Sequence, residues 1–593
     1  MKKESNFKRL MKLAGKYKYL AYLSCVLAGL SSIVALIPFY NIWSIIKEVL
    51  EIRPNFSEAK NIGLNGILAV VFSLASMILY LLALLCSHKM AFRVQRNMRE
   101  LMINHISTIP LGYIESSGSG KIKKIINDSS QATETYLAHN LPDKIVTFFT
   151  PFEVIITMIF FDYRIGLVVL IPFLLGIVIL FSFMMGPKMQ NDIKEYQNSL
   201  DTMSKEGVEY VRGIPVVKTF GQTIFSFKRF KNSIDDYEKW TISYTKKMMK
   251  PMIIFMTSIN SIFAFIIVIG YLLADKGITN ELILNIIFYI LISQILTISL
   301  TKIAYSGESS MIVGDSLERM DSLLSIQPLD MNGKSSFPEK YDIHIDNIYF
   351  NYENNKNNAI DGISLDIKMK EHIALVGPSG GGKTTLASLI SRFWDVTKGS
   401  IKIGNKEIKD IDYKDLMNNV SYVFQDSKLL KMSILDNIKI GNQNATLEEV
   451  MDALEKAQCL DIIKKLPSGV NTIIGSKGVY LSGGEIQRLS IARAILKNPR
   501  ILILDEATAF SDPDNEYLIQ KAFMNLSKDK TVITIAHRLS SIKNCDRVYL
   551  LKDGKIAEEG NHEELLNMHG IYSHMWMEYL HSVNWKIGGD LND

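Results

Sequence analysis

Three short stretches of this chain have the residue types and spacing that chemistry on a phosphate requires. In "HIALVGPSGGGKTTLASLI", Gly377, Gly382, Lys383 and Thr384 fit G-x-x-x-x-G-K-[ST], with Pro378, Ser379, Gly380 and Gly381 between them and Thr385 just after. Small residues let backbone N–H groups wrap phosphates, Lys383 can neutralise the β and γ phosphates, and the Thr384 hydroxyl can ligate Mg²⁺. The second stretch, "RILILDEATAF", is an apolar run ending in two acids. Asp505 is placed to hold Mg²⁺, directly or through water, and Glu506 to orient and polarise an attacking water. The third, "YLSGGEIQR", contains Leu481, Ser482, Gly483, Gly484 and Glu485. Its paired glycines expose N–H groups at a helix start. No lysine follows them, so it is an incomplete anion site.

These groups need particular elements to hold them. Strand, glycine loop and helix is the order expected across the first stretch. A run as apolar as the second suits a strand buried on both faces of a parallel sheet. Ligands of such sheets bind at the carboxyl ends of strands, where Asp505 and Glu506 fall. Strand-like and helical runs alternate from residue 341 to 580, the pattern of an α/β domain, with a tail at 581–593. The Pro-, Gly-, Ser- and Asn-containing stretch 327–340 reads as the linker before it.

The half before the linker has another composition. Of the 593 residues, 48% are hydrophobic, and many fall in six apolar stretches: 19–46, 62–87, 145–161, 165–185, 253–274 and 282–300. Five of them are free of charged residues and reach the ~20 residues that cross a bilayer core; the third is shorter and holds Pro151 and Glu153. The domain expected over 19–326 is therefore an α-helical transmembrane domain. Lysine and arginine crowd the N-terminal segment 1–18 and the segments 88–140 and 186–252, and are scarce near Asp162 and Asp275. That alternation predicts six crossings with both termini cytoplasmic. Two of the basic segments read as long helices extending into the cytoplasm. A net charge of +5 gives no case for a nucleic-acid partner. Cys25, Cys86, Cys459 and Cys545 lie far apart and suggest neither a disulfide framework nor a metal site.

Phosphate loop, "LSGGEIQR" and "LILDEAT", in that order, resemble the ATPase domain of an ABC transporter. Six spans before it on one chain resemble the exporter-type (type IV) half-transporters. The likeness extends to "IPLGYIESSGSGKI" and "EYVRGIPVVKTFG", similar to that family's cytoplasmic helical extensions. The resemblance implies ATP and Mg²⁺ as cofactors, a second half-transporter subunit as partner and a lipid bilayer as surroundings. It makes Tyr352 the aromatic that stacks on adenine, and Gln425 a residue that reaches both Mg²⁺ and the water. His537 becomes the histidine contacting the γ-phosphate, and Asp512 part of a loop that meets the opposite ATPase domain. Leu481–Glu485 would face the γ-phosphate held by the partner's Lys383, which explains an anion site without its own lysine. Phe510 stands where the commonest pattern has a small residue; this variant resembles a subgroup that includes siderophore-linked transporters of exporter fold.

The expected function is an ATP-hydrolysing transporter that works as a dimer by alternating access. Its leading reading is export of an amphipathic small molecule, lipid or peptide. Alternatives are import of a metal–siderophore or related chelate, and a non-transporting ATP-gated regulator. Glu153, a carboxylate within an apolar span, either recognises a cationic substrate or makes an interhelical hydrogen bond. A bacterial plasma membrane is expected from the Lys-, Ile- and Asn-rich composition.

Overall fold

The computed structural model describes residues 4–584 except 54, 185, 220–227, 276, 332, 353–356, 426–427, 476–479, 506–512 and 537–538. The chain divides into two compact units: 1–104 with 120–325, and 105–119 with 326–593.

The first unit is helical. A short basic helix α1 (Asn6–Ala14) buries Leu10, Met11 and Ala14, and its Arg9 pairs with Asp321. Then come α2 (Lys18–Val34), α3 (Ile37–Ile52) and α4 (Ile62–Ile106), with α5 (Leu111–Ser117) belonging to the other unit. The remainder are α6 (Ser119–Thr135), α7 (Leu141–Phe161), α8 (Tyr163–Ile179), α9 (Pro187–Thr219), α10 (Lys228–Ala274) and α11 (Asn280–Leu324). Six segments among the described residues are long and apolar enough to cross a membrane. At 45 residues, α4 is about 68 Å long, more than twice a ~30 Å hydrocarbon core. It therefore extends well past the apolar stretch that opens it.

Packing inside this unit runs through Val154, Met158, Val169, Phe173, Phe255, Ile259, Tyr289 and Ile292 on α7, α8, α10 and α11. By contrast, Leu64, Ile67, Val70, Leu74, Met77, Leu81 and Leu85 of α4 point outward. Outward leucine, valine and methionine costs nothing when lipid is the solvent. The shortest expected span is a helix of 21 residues with Pro151 inside it. A single residue, Asp162, joins it to α8. Asp162 Oδ1 accepts from the Arg164 backbone N–H at 3.0 Å, and the Tyr289 hydroxyl accepts from Asp162 N–H at 2.8 Å while donating to the Met158 carbonyl.

The second unit is α/β. Its first strands are β1 (Ile343–Phe350), β2 (Ile360–Ile367) and β3 (His372–Val376), followed by α12 (Lys383–Ile390), β4 (Lys398–Ile403) and β5 (Lys406–Glu407). Next come α13 (Tyr413–Asn419), β6 (Val420–Val423), α14 (Ile434–Lys439), α15 (Leu447–Lys456), α16 (Leu460–Lys465), α17 (Gly483–Lys497) and β7 (Ile501–Asp505). The last elements are α18 (Pro513–Ser527), β8 (Thr531–Ile535), β9 (Arg547–Lys552), β10 (Lys555–Gly560), α19 (His562–Asn567) and α20 (Ile571–Asn584). An antiparallel sheet of order β2-β1-β4-β5 accompanies a six-stranded sheet of order β10-β9-β3-β8-β7-β6, in which β3, β6, β7, β8 and β9 run parallel. Alternation along β7 explains its unbroken apolar run. Ile501 and Ile503 face a core shared with the antiparallel sheet and α12, while Leu502 and Leu504 face one shared with α14, α15, α17 and α18.

Candidate nucleotide site

Parallel pairing puts the carboxyl ends of β3, β6, β7 and β8 along one edge. The phosphate loop follows β3, Gln425 follows β6, Asp505 ends β7, and Ile535 ends β8 two residues before His537. Residues that are distant in sequence share this edge because β8 lies between β3 and β7. Glu506, Phe510, Asp512 and His537 lie outside the described residues.

The loop has little steric choice. Gly377 has φ +136°, Gly380 +80° and Gly382 +104°, a region that glycine enters at no Cβ cost. A Cβ on Gly377 would lie 2.0 Å from the Leu551 carbonyl oxygen, and one on Gly381 2.6 Å from it. Closing contacts run from Gly381 N–H to Pro378 O (3.1 Å) and from Gly554 N–H to Gly381 O (3.2 Å). At Gly380 a Cβ would meet nothing within 4 Å among the described residues, so this turn opens onto free space. Lys383 begins α12, is only 7% exposed, and donates to the Gly377 and Pro378 carbonyls at 2.8 and 2.9 Å. Burial holds its ammonium below the ordinary lysine range, and the Asp505 charge opposes that shift. A phosphate is a stronger acceptor than those two neutral carbonyls, and an anion there favours the charged lysine.

Thr384 is exposed and Thr385 buried; the Thr385 hydroxyl lies 3.0 Å from that of Tyr352. Tyr352 meets Phe350 and Trp394 edge-on, with ring centroids 4.9 and 5.8 Å apart, and is thereby fixed beside the loop. Gln425 is exposed. Asp505 is half-buried and accepts a 3.0 Å hydrogen bond from the Tyr422 hydroxyl; burial, then the Asp505 charge, pushes the Tyr422 phenol up. Thr384, Gln425 and Asp505 offer oxygen donors, the set a hard cation such as Mg²⁺ takes. In this respect the residues fit the group.

The third stretch starts α17. Ser482 is its N-cap: the hydroxyl accepts from Glu485 N–H at 3.3 Å, and the Glu485 carboxylate accepts from Ser482 N–H at 2.8 Å. This reciprocal box is satisfied locally. Gly484 is buried, Leu481 packs on the helical core, and a Cβ on Gly483 would meet nothing within 4 Å among the described residues. The helix start is therefore built and capped, with an open face at Gly483. In the other unit, Glu153 Oε1 accepts from the Ser32 hydroxyl at 2.9 Å, and its buried Oε2 has no hydrogen-bond partner among the described residues.

Tyr422 and Trp394 were not legible as site residues. Nothing in their spacing marks them; only strand pairing and ring packing bring them beside Asp505 and Tyr352.

Comparison with known proteins agrees with this geometry. The ABC transporter family model matches residues 360–509, and that of the ABC transporter transmembrane region matches 22–300. The mycobactin import ATP-binding/permease protein IrtA of Mycolicibacterium smegmatis is 31% identical over 572 residues, covering 95% of this chain and 65% of that protein. Its Mycobacterium tuberculosis counterpart is also 31% identical, and this chain covers 64% of its length. The chain thus spans less than two thirds of these mycobacterial relatives. The putative multidrug export ATP-binding/permease protein YgaD of Bacillus subtilis is 30% identical over 498 residues, 82% of this chain and 84% of that one. Matches running through both units, and a relative aligned over most of both lengths, establish that the chain belongs to the ABC transporters, as a member with transmembrane region and ATP-binding domain fused on one polypeptide.

Proposed function

We propose that the chain is one subunit of a dimeric ATP-driven membrane transporter, with both termini in the cytoplasm of a bacterial cell. The observation that carries this reading is the pair of open glycines. Gly380 of the lysine-bearing loop and Gly483 of the lysine-free helix start both face space where an added Cβ touches nothing described. A triphosphate cradled by one subunit's loop then meets the other subunit's Ser482, Gly483 and Gly484, and the α17 N-terminus adds about half a positive charge.

Nucleotide that touches both subunits only when they close favours the closed state. Moving a population from 1:99 to 99:1 takes about 5.5 kcal/mol, which two bridging nucleotides share. Glu506 orients a water toward the γ-phosphorus, Gln425 holds that water, and His537 contacts the γ-phosphate. The water oxygen bonds to phosphorus as the bond to the β–γ bridging oxygen breaks; phosphate and ADP leave, and the bridge is lost. Thr384, Gln425 and Asp505 would hold Mg²⁺, which would neutralise charge on the triphosphate. Tyr352 stacks on adenine, and Asp512 meets the opposite domain.

For direction, import of a metal–siderophore or related chelate is supported by the mycobacterial relatives named for mycobactin import, one of them aligned over 95% of this chain, and by Phe510. Export of an amphipathic small molecule, lipid or peptide is the second reading, supported by the relative named for multidrug export. Glu153 is a candidate contact for cationic cargo in either case. Inside-out vesicles separate the two directions: ATP-dependent loss of preloaded ferric chelate supports import, and ATP-dependent accumulation of amphiphile supports export. Absence of any ATP hydrolysis by the reconstituted protein overturns the common reading.

A further inference from the structure

Three rings beside the phosphate loop form a closed triangle. Phe350 ends β1, Tyr352 follows two residues later, and Trp394 comes from the segment between α12 and β4. Their centroids lie 4.9 Å apart for Phe350–Tyr352, 5.8 Å for Tyr352–Trp394 and 5.7 Å for Phe350–Trp394. Tyr352 meets both neighbours edge-to-face, at 86° and 85°, an arrangement in which the positive rim of one ring meets the negative face of the other. Phe350 is buried in the core shared with the antiparallel sheet, while Tyr352 and Trp394 pack against that core half-buried. The Tyr352 hydroxyl is tied to that of Thr385 on α12 at 3.0 Å.

Trp394 is in turn held by a segment that comes from far away in the chain. Residues 105–119 pack with the ATPase unit, and α5 within them rests on residues 393 and 394. Gly112 N–H donates to the Phe393 carbonyl at 3.3 Å. A Cβ on Gly112 would lie 1.8 Å from the Trp394 indole nitrogen and 2.4 and 2.5 Å from two of its ring carbons, so helix and indole can touch only at a glycine. The Phe393 ring stacks on Phe424 at 5.8 Å and 11°, which pins the backbone that carries Trp394. Contact thus runs from α5 through Trp394 to Tyr352.

Resting on the assignment of Tyr352 to the adenine, we propose that Trp394 is a positioning residue for base recognition: wedged between α5 and Tyr352, it sets the plane of the ring on which the purine stacks. The triphosphate is met by the loop N–H groups and Lys383, which do not depend on that plane. Without the indole, Tyr352 keeps its hydroxyl contact and Phe350 but can swing about them. Seating of α5 therefore acts on the base-dependent part of nucleotide affinity.

The test uses the full chain in lipid with Mg²⁺ and compares two probes, the β,γ-imido analogue of ATP and inorganic tripolyphosphate. Midpoints of thermal stabilisation give an apparent affinity for each, and their ratio isolates the base. Removing an aromatic platform costs a base roughly five- to 150-fold in affinity, so a loosened one should cost about three- to tenfold. Trp394→Ala should weaken the ATP analogue by that factor and leave tripolyphosphate unchanged. Trp394→Phe, which keeps a ring against Tyr352, should recover most of the loss. Gly112→Ala, whose Cβ displaces the indole, should reproduce the base-selective loss with Trp394 intact. An unchanged ratio in Trp394→Ala overturns the proposal, as does an equal weakening of both probes, which marks general destabilisation. An unchanged ratio in Gly112→Ala removes α5 from it. Two further outcomes strike the underlying reading instead: Tyr352→Ala with an unaltered ratio takes Tyr352 away from the adenine, and a wild type stabilised by neither probe has no nucleotide site.

Discussion

Lys383 shows how one side chain can be held in place to meet a phosphate. Its ammonium is nearly buried and rests on two loop carbonyls, an arrangement a triphosphate can replace with stronger acceptors. Lys383→Ala should therefore abolish nucleotide-induced stabilisation as well as hydrolysis, read by thermal shift with ATP analogue. Gly377→Ala tests the backbone instead. A positive φ and a 2.0 Å approach to Leu551 O should cost more than about 2 kcal/mol, seen as a lower unfolding midpoint before any nucleotide is added. Lys530 gives a pH-dependent case away from the site. It is 9% exposed, and burial pushes it from the ordinary 10.5 down to about 8. Between those values the unfolded chain binds more protons than the folded one, so stability attributable to this group rises with pH across the window. Lys530→Met should flatten the rise in melting temperature between pH 8 and 10.

Among the elements, the α7–α8 hairpin and α17 carry the clearest constraints. A Cβ on Gly166 would sit 2.8 Å from the backbone of Ile159, so the one-residue link at Asp162 works only with glycine there. Gly166→Leu should force α8 away from α7 and reduce the recovery of folded protein from detergent, measured by size-exclusion chromatography. For α17, loss of the Ser482 cap is worth roughly 1 kcal/mol. Ser482→Ala should thus weaken local stability modestly, whereas Ser482→Arg fills the open face at Gly483 and should block nucleotide bridging.

At the scale of the assembled molecule, the proposed composite site makes a directional prediction. In mixed dimers, Ser482→Arg in one subunit should disable the site whose Lys383 belongs to the other subunit. Damage confined to the mutated subunit's own phosphate loop would show that each chain builds a complete site. Glu506→Gln should trap ATP between subunits and stop turnover; brisk steady-state hydrolysis by that variant in a homodimer would remove Glu506 from the chemistry.

Local order along the chain determined a good deal. Apolar runs long enough for a bilayer, basic segments between them, and glycine spacing before Lys383 each act over a few turns or strands, so they are readable without contacts. The strand ending at Asp505 was legible for the same reason, since burial on both faces leaves no polar position. Tertiary structure alone decided the rest. Tyr422 and Asp505 stand 83 positions apart, and parallel pairing of β6 with β7 joins them. Trp394 meets both Tyr352 and Gly112 only after the two sheets and α5 have packed. The capture of 105–119 by the ATPase unit likewise depends on a close approach at Gly112. Periodicity encodes which face of an element is buried; which distant face it meets is settled by the summed packing and hydrogen bonding of the whole fold.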